Sequence, residues 1–112
     1  MARYDVTKLT SNRKSIMSAY ILVDTKIENA EVYEEYKALA RPIAESYGGK
    51  YLTRGGAMDI IDNDLWTPTR IVLIEFPDME KARAFMKSDA YAPVRPLREN
   101  NAKCTLVLLE GL

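Results

Sequence analysis

At 112 residues, with 16 basic and 16 acidic side chains, one cysteine and no histidine, the chain is sized for one domain with one core and carries no formal net charge. Neutrality argues against a nucleic-acid partner, which calls for a basic surface. The lone Cys104 excludes an internal disulfide and fits a cytoplasmic setting, and no apolar run approaches the roughly 20 residues that would imply a membrane partner.

The charge is uneven along the chain. Arg3, Lys8, Arg13 and Lys14 face only Asp5 in the first fifteen residues, a net +3 that leaves −3 for the rest. Residues 1–16 therefore read as a basic N-terminal tail or extension, without the apolar run of a secretory signal, and residues 17–112 as the folded domain. "SAYILVDT" (18–25) is the first expected strand, apolar and β-branched. Asn29 offers a side-chain oxygen to the free amides of a helix start. Val32, Tyr33, Tyr36, Leu39, Ile43 and Tyr47 then recur at helical spacing, and Pro42 predicts a kink. Gly48 or Gly49 ends this helix. "KYLTR" is the second strand, with a continuation past Gly55-Gly56 into "AMDII" as an option, and "DNDLWTP" is a solvated turn. "TRIVLIEF" (69–76) is the strongest strand signal. Asp78 caps a helix whose Met79, Ala82, Phe85 and Met86 share a face. "SDAYAPVRPLRENNA" reads as a short helical piece capped by Ser88 or Asp89, with Pro93 in its first turn and Pro96 distorting it; "KCTLVLLE" closes the domain.

The order β-α-β-β-α-β is an α+β, ferredoxin-like arrangement: an antiparallel sheet with its helices on one face. A sheet with one wet side should alternate apolar and polar residues, yet "YILV", "IVLI" and "LVLL" do not. Both faces are apolar while helices exist for one, so the expected partner is a second copy of the chain, sheet against sheet, in a two-fold homodimer.

"AYILVDTKIENAEVYEEYKALARPIAESYGGKYLTRGG" followed by "PTRIVLIEFPDMEKARAFMKSDAYAPVRPLRENNAKCTLVLLEG" resembles the family of domain of unknown function 1330, from about Ser18 to Gly111. The "YGGKYLTRGG" and "EFPDMEKARAFMKSDAY" blocks are specific in combination. The resemblance implies a ferredoxin-like fold in the dimeric α/β-barrel superfamily. Relatives in that superfamily include cofactor-free monooxygenases, lactone isomerases, haem enzymes and proteins with no known chemistry, so the resemblance supplies no reaction.

The residues suggest one candidate site. Gly55-Gly56 permits a bulge or bend that re-aims Arg54 inward, toward acidic company. With the second strand beside the third, Arg54 is expected to reach Glu75, a carboxylate on an otherwise apolar run. The first strand is expected on the other side of the third and parallel to it, which brings Asp24 to the same end. Arg54, Glu75 and Asp24 form the candidate catalytic set. Tyr36, Trp66, Arg70, Tyr91 and Arg98 are candidate ligand-binding residues around a cavity between sheet and helices. Two functional readings follow: a dimeric module that binds a small molecule, or a cofactor-free enzyme, isomerase- or monooxygenase-like, in which arginine holds a carboxylate or enolate of a small organic acid or ketone and a carboxylate moves a proton. A purely structural Arg–Glu pair that fixes strand register or the dimer seam is the alternative to both. Without histidine there is no Ser–His or Cys–His pair and no histidine haem ligand, and one cysteine makes no structural zinc site, so no cofactor and no metal are expected.

Overall fold

The computed structural model describes residues 17–112; the proposed basic tail, residues 1–16, lies outside the described residues. Strands β1 (Ala19–Ile27), β2 (Lys50–Arg54), β3 (Ile71–Phe76) and β4 (Ala102–Glu110) alternate with helices α1 (Ala30–Ser46), α2 (Met79–Lys87) and the short α3 (Arg95–Glu99). The sheet order is β2-β3-β1-β4, and every neighbouring pair is antiparallel. The α+β ferredoxin-like fold expected from the element order is the one observed.

The helices start and stop where local chemistry dictates. The Asn29 side chain accepts from Val32 N at 3.2 Å, and Asp78 accepts from Lys81 N at 2.8 Å, each satisfying an amide that the first helical turn leaves free. At the far end of α1, Gly48 N and Gly49 N donate back to Glu45 O and Ala44 O at 3.0 and 2.9 Å, with Gly48 at φ 86°. This crossed pair of bonds needs a left-handed residue, and a Cβ on Gly48 would also lie 2.8 Å from Pro77 Cγ.

One face of the sheet meets the helices. Ile21, Val23, Ile74, Phe76 and Phe85 form the heart of a buried cluster, in which the Phe76 and Phe85 rings stack at 5.6 Å. The helical side of α1 is rotated from its expected position. Tyr33, Ala40 and Ala44 are buried, whereas Leu39 is 44 % exposed. Helix α1 runs unbroken through Pro42, whose missing N–H leaves Ala38 O without its helical donor. Pro96 falls at the start of α3 instead of distorting it: the helix begins at Arg95, later than expected, so the missing N–H falls in a turn that has no use for it. Ser88 does cap the turn ahead of it, accepting from Tyr91 N at 3.1 Å.

The opposite face carries Tyr20, Leu22, Leu73, Val107 and Leu109, and no described element covers it; Val107 and Leu109 are 40 % and 43 % exposed. Both faces of the sheet are thus apolar, as the unalternating strands imply.

Two expectations are corrected. Strand β1 runs antiparallel to β3, not parallel, with Asp24 opposite Ile71 and Tyr20 opposite Glu75. A helical return makes β2 run with β1, and the reversal into β3 then sets β3 against both. Strand β2 also ends at Arg54; residues 56–70 form no strand.

Gly48→Ala should lower unfolding free energy by about 1–2 kcal/mol through the left-handed backbone alone, with the Pro77 clash adding to it. Urea denaturation followed by circular dichroism measures it, and Gly111→Ala, whose glycine needs no positive φ, is the comparison for a close approach without the backbone term.

Candidate functional site

Strand alternation sorts the candidate residues onto the two faces. Val72, Ile74 and Phe76 of β3 point toward the helices, and Arg70, two positions ahead of Val72, continues that row. Arg54 reaches the same side by a different route. The pairing of β2 with β3 shifts between Tyr51 and Thr53, so the extra residue Leu52 bulges out. Tyr51 and Arg54 are three positions apart and would otherwise face opposite ways. Arg54 instead lies over the Tyr51 ring at 4.6 Å and donates to Lys37 O at 2.9 Å. Arg98, from α3, is 7 % exposed and donates its Nε–H to the Tyr91 hydroxyl at 3.2 Å.

These three arginines meet in a recess between sheet and helices. Val23, Val72 and Ile74 form its floor, and Tyr33, Tyr36 and Tyr51 are its phenolic walls. About 30 Å³ within it is open to the centres of water molecules. Among the described residues, no carboxylate lies within 4.0 Å of any of the three guanidiniums. The fourth cation at the rim, Lys37, is paired with Glu34 at 3.1 Å.

The Tyr36 and Tyr91 hydroxyls are 2.7 Å apart, so Tyr36, Tyr91 and Arg98 form a continuous hydrogen-bonded row. Burial, reinforced by the neighbouring Tyr91, pushes the Tyr36 phenol far above its ordinary range, and burial also raises Tyr33 and Tyr51. These hydroxyls stay protonated at neutral pH. Burial works against the charge of Arg98, but the Tyr91 oxygen more than offsets it and the guanidinium stays cationic.

The structure brings together Arg54, Arg70, Arg98 and Tyr36, with Tyr91 behind Tyr36. It does not bring Glu75, Asp24 or Trp66 to them. Glu75 lies on the open face, opposite Lys50 and not Arg54, and takes one long contact of 3.4 Å from the Tyr20 hydroxyl. The expected Arg54–Glu75 pair is absent because the two occupy opposite ends and opposite faces of the sheet. The glycine pair also has a different use from the one expected. The bend that aims Arg54 is at Leu52, whereas Gly55, at φ 74°, makes room for Arg70: a Cβ there would lie 2.8 Å from Arg70 Nε. Tyr33 and Tyr51, which the sequence reading did not place in the site, sit beneath Arg70 and Arg54, with the Arg70–Tyr33 distance 5.7 Å. An aromatic two or three residues from a cation at a strand end is the only local signal for Tyr51; for Tyr33 there is none.

Asp24 belongs to the site by way of the backbone. Its Oδ1 accepts from Thr69 N at 2.8 Å and Arg70 N at 3.0 Å, and its Oδ2 accepts from Trp66 Nε1 at 2.9 Å. From the open face it holds the segment from which Arg70 projects to the other side. Partial burial works against its charge, but the Arg70 and Thr69 amides and the Trp66 indole outweigh this and hold the carboxyl below its ordinary range.

A family model described as "Domain of unknown function (DUF1330)" matches residues 18–112. No curated protein matches the chain. Among solved structures, a protein of unknown function from Rhodopseudomonas palustris superposes with a TM-score of 0.67 at 16 % identity, covering 100 % of this chain and 95 % of its own. A protein of unknown function from Bacteroides thetaiotaomicron VPI-5482, described as a possible oxidoreductase, gives 0.52 at 12 % identity over 85 % and 98 % of the two chains. A putative antibiotic biosynthesis monooxygenase from Nitrosomonas europaea gives 0.51 at 20 % identity over 88 % and 92 %. At these identities the likeness is one of fold alone.

Asp24→Ala removes an acceptor shared by three donors and should cost about 1–2 kcal/mol, while Asp24→Asn, which keeps one acceptor oxygen, should cost less. Amide exchange at Thr69 and Arg70 reads the local loss. In the unmodified chain the folded pKa of Asp24 lies below its unfolded value of about 3.9, so its stabilisation is complete above that value and fades as pH falls through the depressed folded one. Exchange protection at the two amides should therefore hold at pH 5 and fall only well into the acid range; a loss near neutrality would contradict the assignment.

Proposed function

We propose, for a chain that belongs to the family of domain of unknown function 1330, that this protein binds a small molecule in the recess between sheet and helices and does so as a homodimer. The observation that carries the reading is the convergence of Arg54, Arg70 and Arg98 on apolar and phenolic walls with no carboxylate partner among the described residues. Concentrated, partly buried positive charge opposes folding unless something negative or polar answers it. A ligand is the answer that a structural role does not supply.

The second copy follows from the open face. Leu22, Leu73, Val107 and Leu109 lie on one side of the sheet, and sheet-on-sheet stacking removes them from water. In that arrangement Glu75 and Tyr20 fall within the seam, which gives Glu75 a structural task. A cytoplasmic setting belongs to the same reading. No described helix is long and apolar enough to cross a membrane.

The enzymatic alternative, an isomerase- or monooxygenase-like conversion of a small organic acid or ketone without a cofactor, has one specific observation in its favour. The Tyr36–Tyr91–Arg98 row presents a neutral phenol, backed by a guanidinium, to the recess. Such a donor stabilises oxygen charge developing on an enolate.

Two measurements test the reading. Sedimentation equilibrium at micromolar concentration should give a dimer, and Val107→Asp should dissociate it by placing a charge in the seam; a compact monomer for the unmodified chain would end the dimer reading. A thermal-shift screen of small organic acids, ketones and their neutral analogues should find compounds that raise the melting temperature saturably, as RT ln(1 + [L]/Kd) requires. Recovery of unchanged compound favours the binding module, and a new product favours the enzyme.

A further inference from the structure

We infer that the ligand is a small carboxylate, and that its head group is held by Arg70. This inference rests on the binding reading above and names the chemistry of that site.

Arg70 differs from the other two arginines in what it lacks. Arg54 has Lys37 O and Arg98 has the Tyr91 hydroxyl as hydrogen-bond partners. Arg70 Nη1 is buried and, among the described residues, has no partner. A buried charged donor without an acceptor is among the more costly features a folded chain can keep. The rest of the side chain is fixed in place. Its backbone amide is clamped by Asp24, its Nε and Cζ lie against Gly55, and its guanidinium lies 5.7 Å from the Tyr33 ring. The group is therefore held in a fixed position with one donor that the described residues do not answer.

Three properties of the surroundings specify the missing acceptor. The first is charge. Arg54 and Arg98 share the recess with Arg70, and no acidic residue lines it, so the local field favours an anion over a neutral carbonyl. The second is shape. A carboxylate is planar and accepts two parallel bonds from a guanidinium fork, the pairing for which arginine is suited. The third is size. A water needs about 10–15 Å³ of such volume, so roughly 30 Å³ takes the three heavy atoms of a carboxylate group, with the remainder of a short acid at the mouth of the recess, and not a bulky substituted phosphate. A larger, more open hollow beside α1, about 470 Å³, shares only Lys37 and Arg54 with the recess.

The test uses the full chain with acetate, propionate and pyruvate, each against its neutral amide (acetamide, propionamide, pyruvamide) at constant ionic strength set with chloride. Isothermal titration should show saturable binding of the acids at least tenfold tighter than of the amides. Arg70→Gln should weaken the acids tenfold or more, and Arg70→Lys, which keeps the charge without the fork, should fall between. Where Arg70→Gln fails to fold, the Arg70 side-chain ¹⁵Nε resonance of the unmodified chain provides the same reading, moving with acid and not with amide. Equal binding of acids and amides, or an identical effect from chloride alone, overturns the carboxylate assignment. If the acids fail while a neutral ketone from the earlier screen binds saturably, the assignment falls and the binding reading stands. If no compound binds, both fall.

Discussion

Successive side chains on a strand leave by opposite faces, and this alternation fixes where Arg70, Asp24 and Glu75 can act. On β3 and just ahead of it, Arg70, Val72, Ile74 and Phe76 go to the helical side, while Leu73 and Glu75 go to the open side. On β1 the same rule sends Val23 and Thr25 inward and Asp24 outward. Asp24 and Arg70 are thus neighbours that stand back to back. Charge attraction between their side chains is not what links them. The carboxylate grips the Arg70 amide through the plane of the sheet, and on the far side Arg70 Nη1 has no acceptor among the described residues.

Three cations come to one recess from three separate elements, each by its own local device. Alternation delivers Arg70. An extra residue at Leu52 turns Arg54 to the side of Tyr51. The short helix α3, begun late enough for Pro96 to fit its first turn, places Arg98 beside Tyr91. The tyrosine rings beneath Arg54 and Arg70 offset part of the cost, about 0.5–2 kcal/mol each, because their negative faces meet a desolvated cation. No carboxylate among the described residues answers the three guanidiniums.

The element order, the helix caps at Asn29 and Asp78 and the stop at Gly48 were legible in the sequence because each is decided within four or five residues. The apolar character of both sheet faces was legible for the same reason: it is a property of consecutive residues. What was not legible depended on contacts across the chain. Nothing in "KYLTR" marks Leu52 as the extra residue, since the bulge is defined only against β3. Gly55 reads as the hinge for its neighbour Arg54, yet it serves Arg70, whose guanidinium occupies the space a Cβ would take. The antiparallel setting of β1 and β3 was available from connectivity alone, by following the chain direction through helix and hairpin. Once that direction is right, Asp24 and Glu75 separate to opposite ends of the sheet and cannot share a site.

The chemistry left in the recess is one-sided. Guanidiniums donate and cannot accept, and phenols whose pKa burial raises stay neutral at neutral pH, able to donate or accept a hydrogen bond but not to act as a charged base. No carboxylate lines the space, and the chain has no histidine. Such a site can hold a negative charge or stabilise one as it forms, but it offers no group of its own to remove a proton. Binding needs nothing more. Turnover would need the substrate to bring its own base or to arrive already ionised, so the pH dependence of any reaction here would follow the ionisation of the substrate and not that of the protein. On that argument the binding and enzymatic readings share one geometry, and what separates them is the acidity of the molecule that enters.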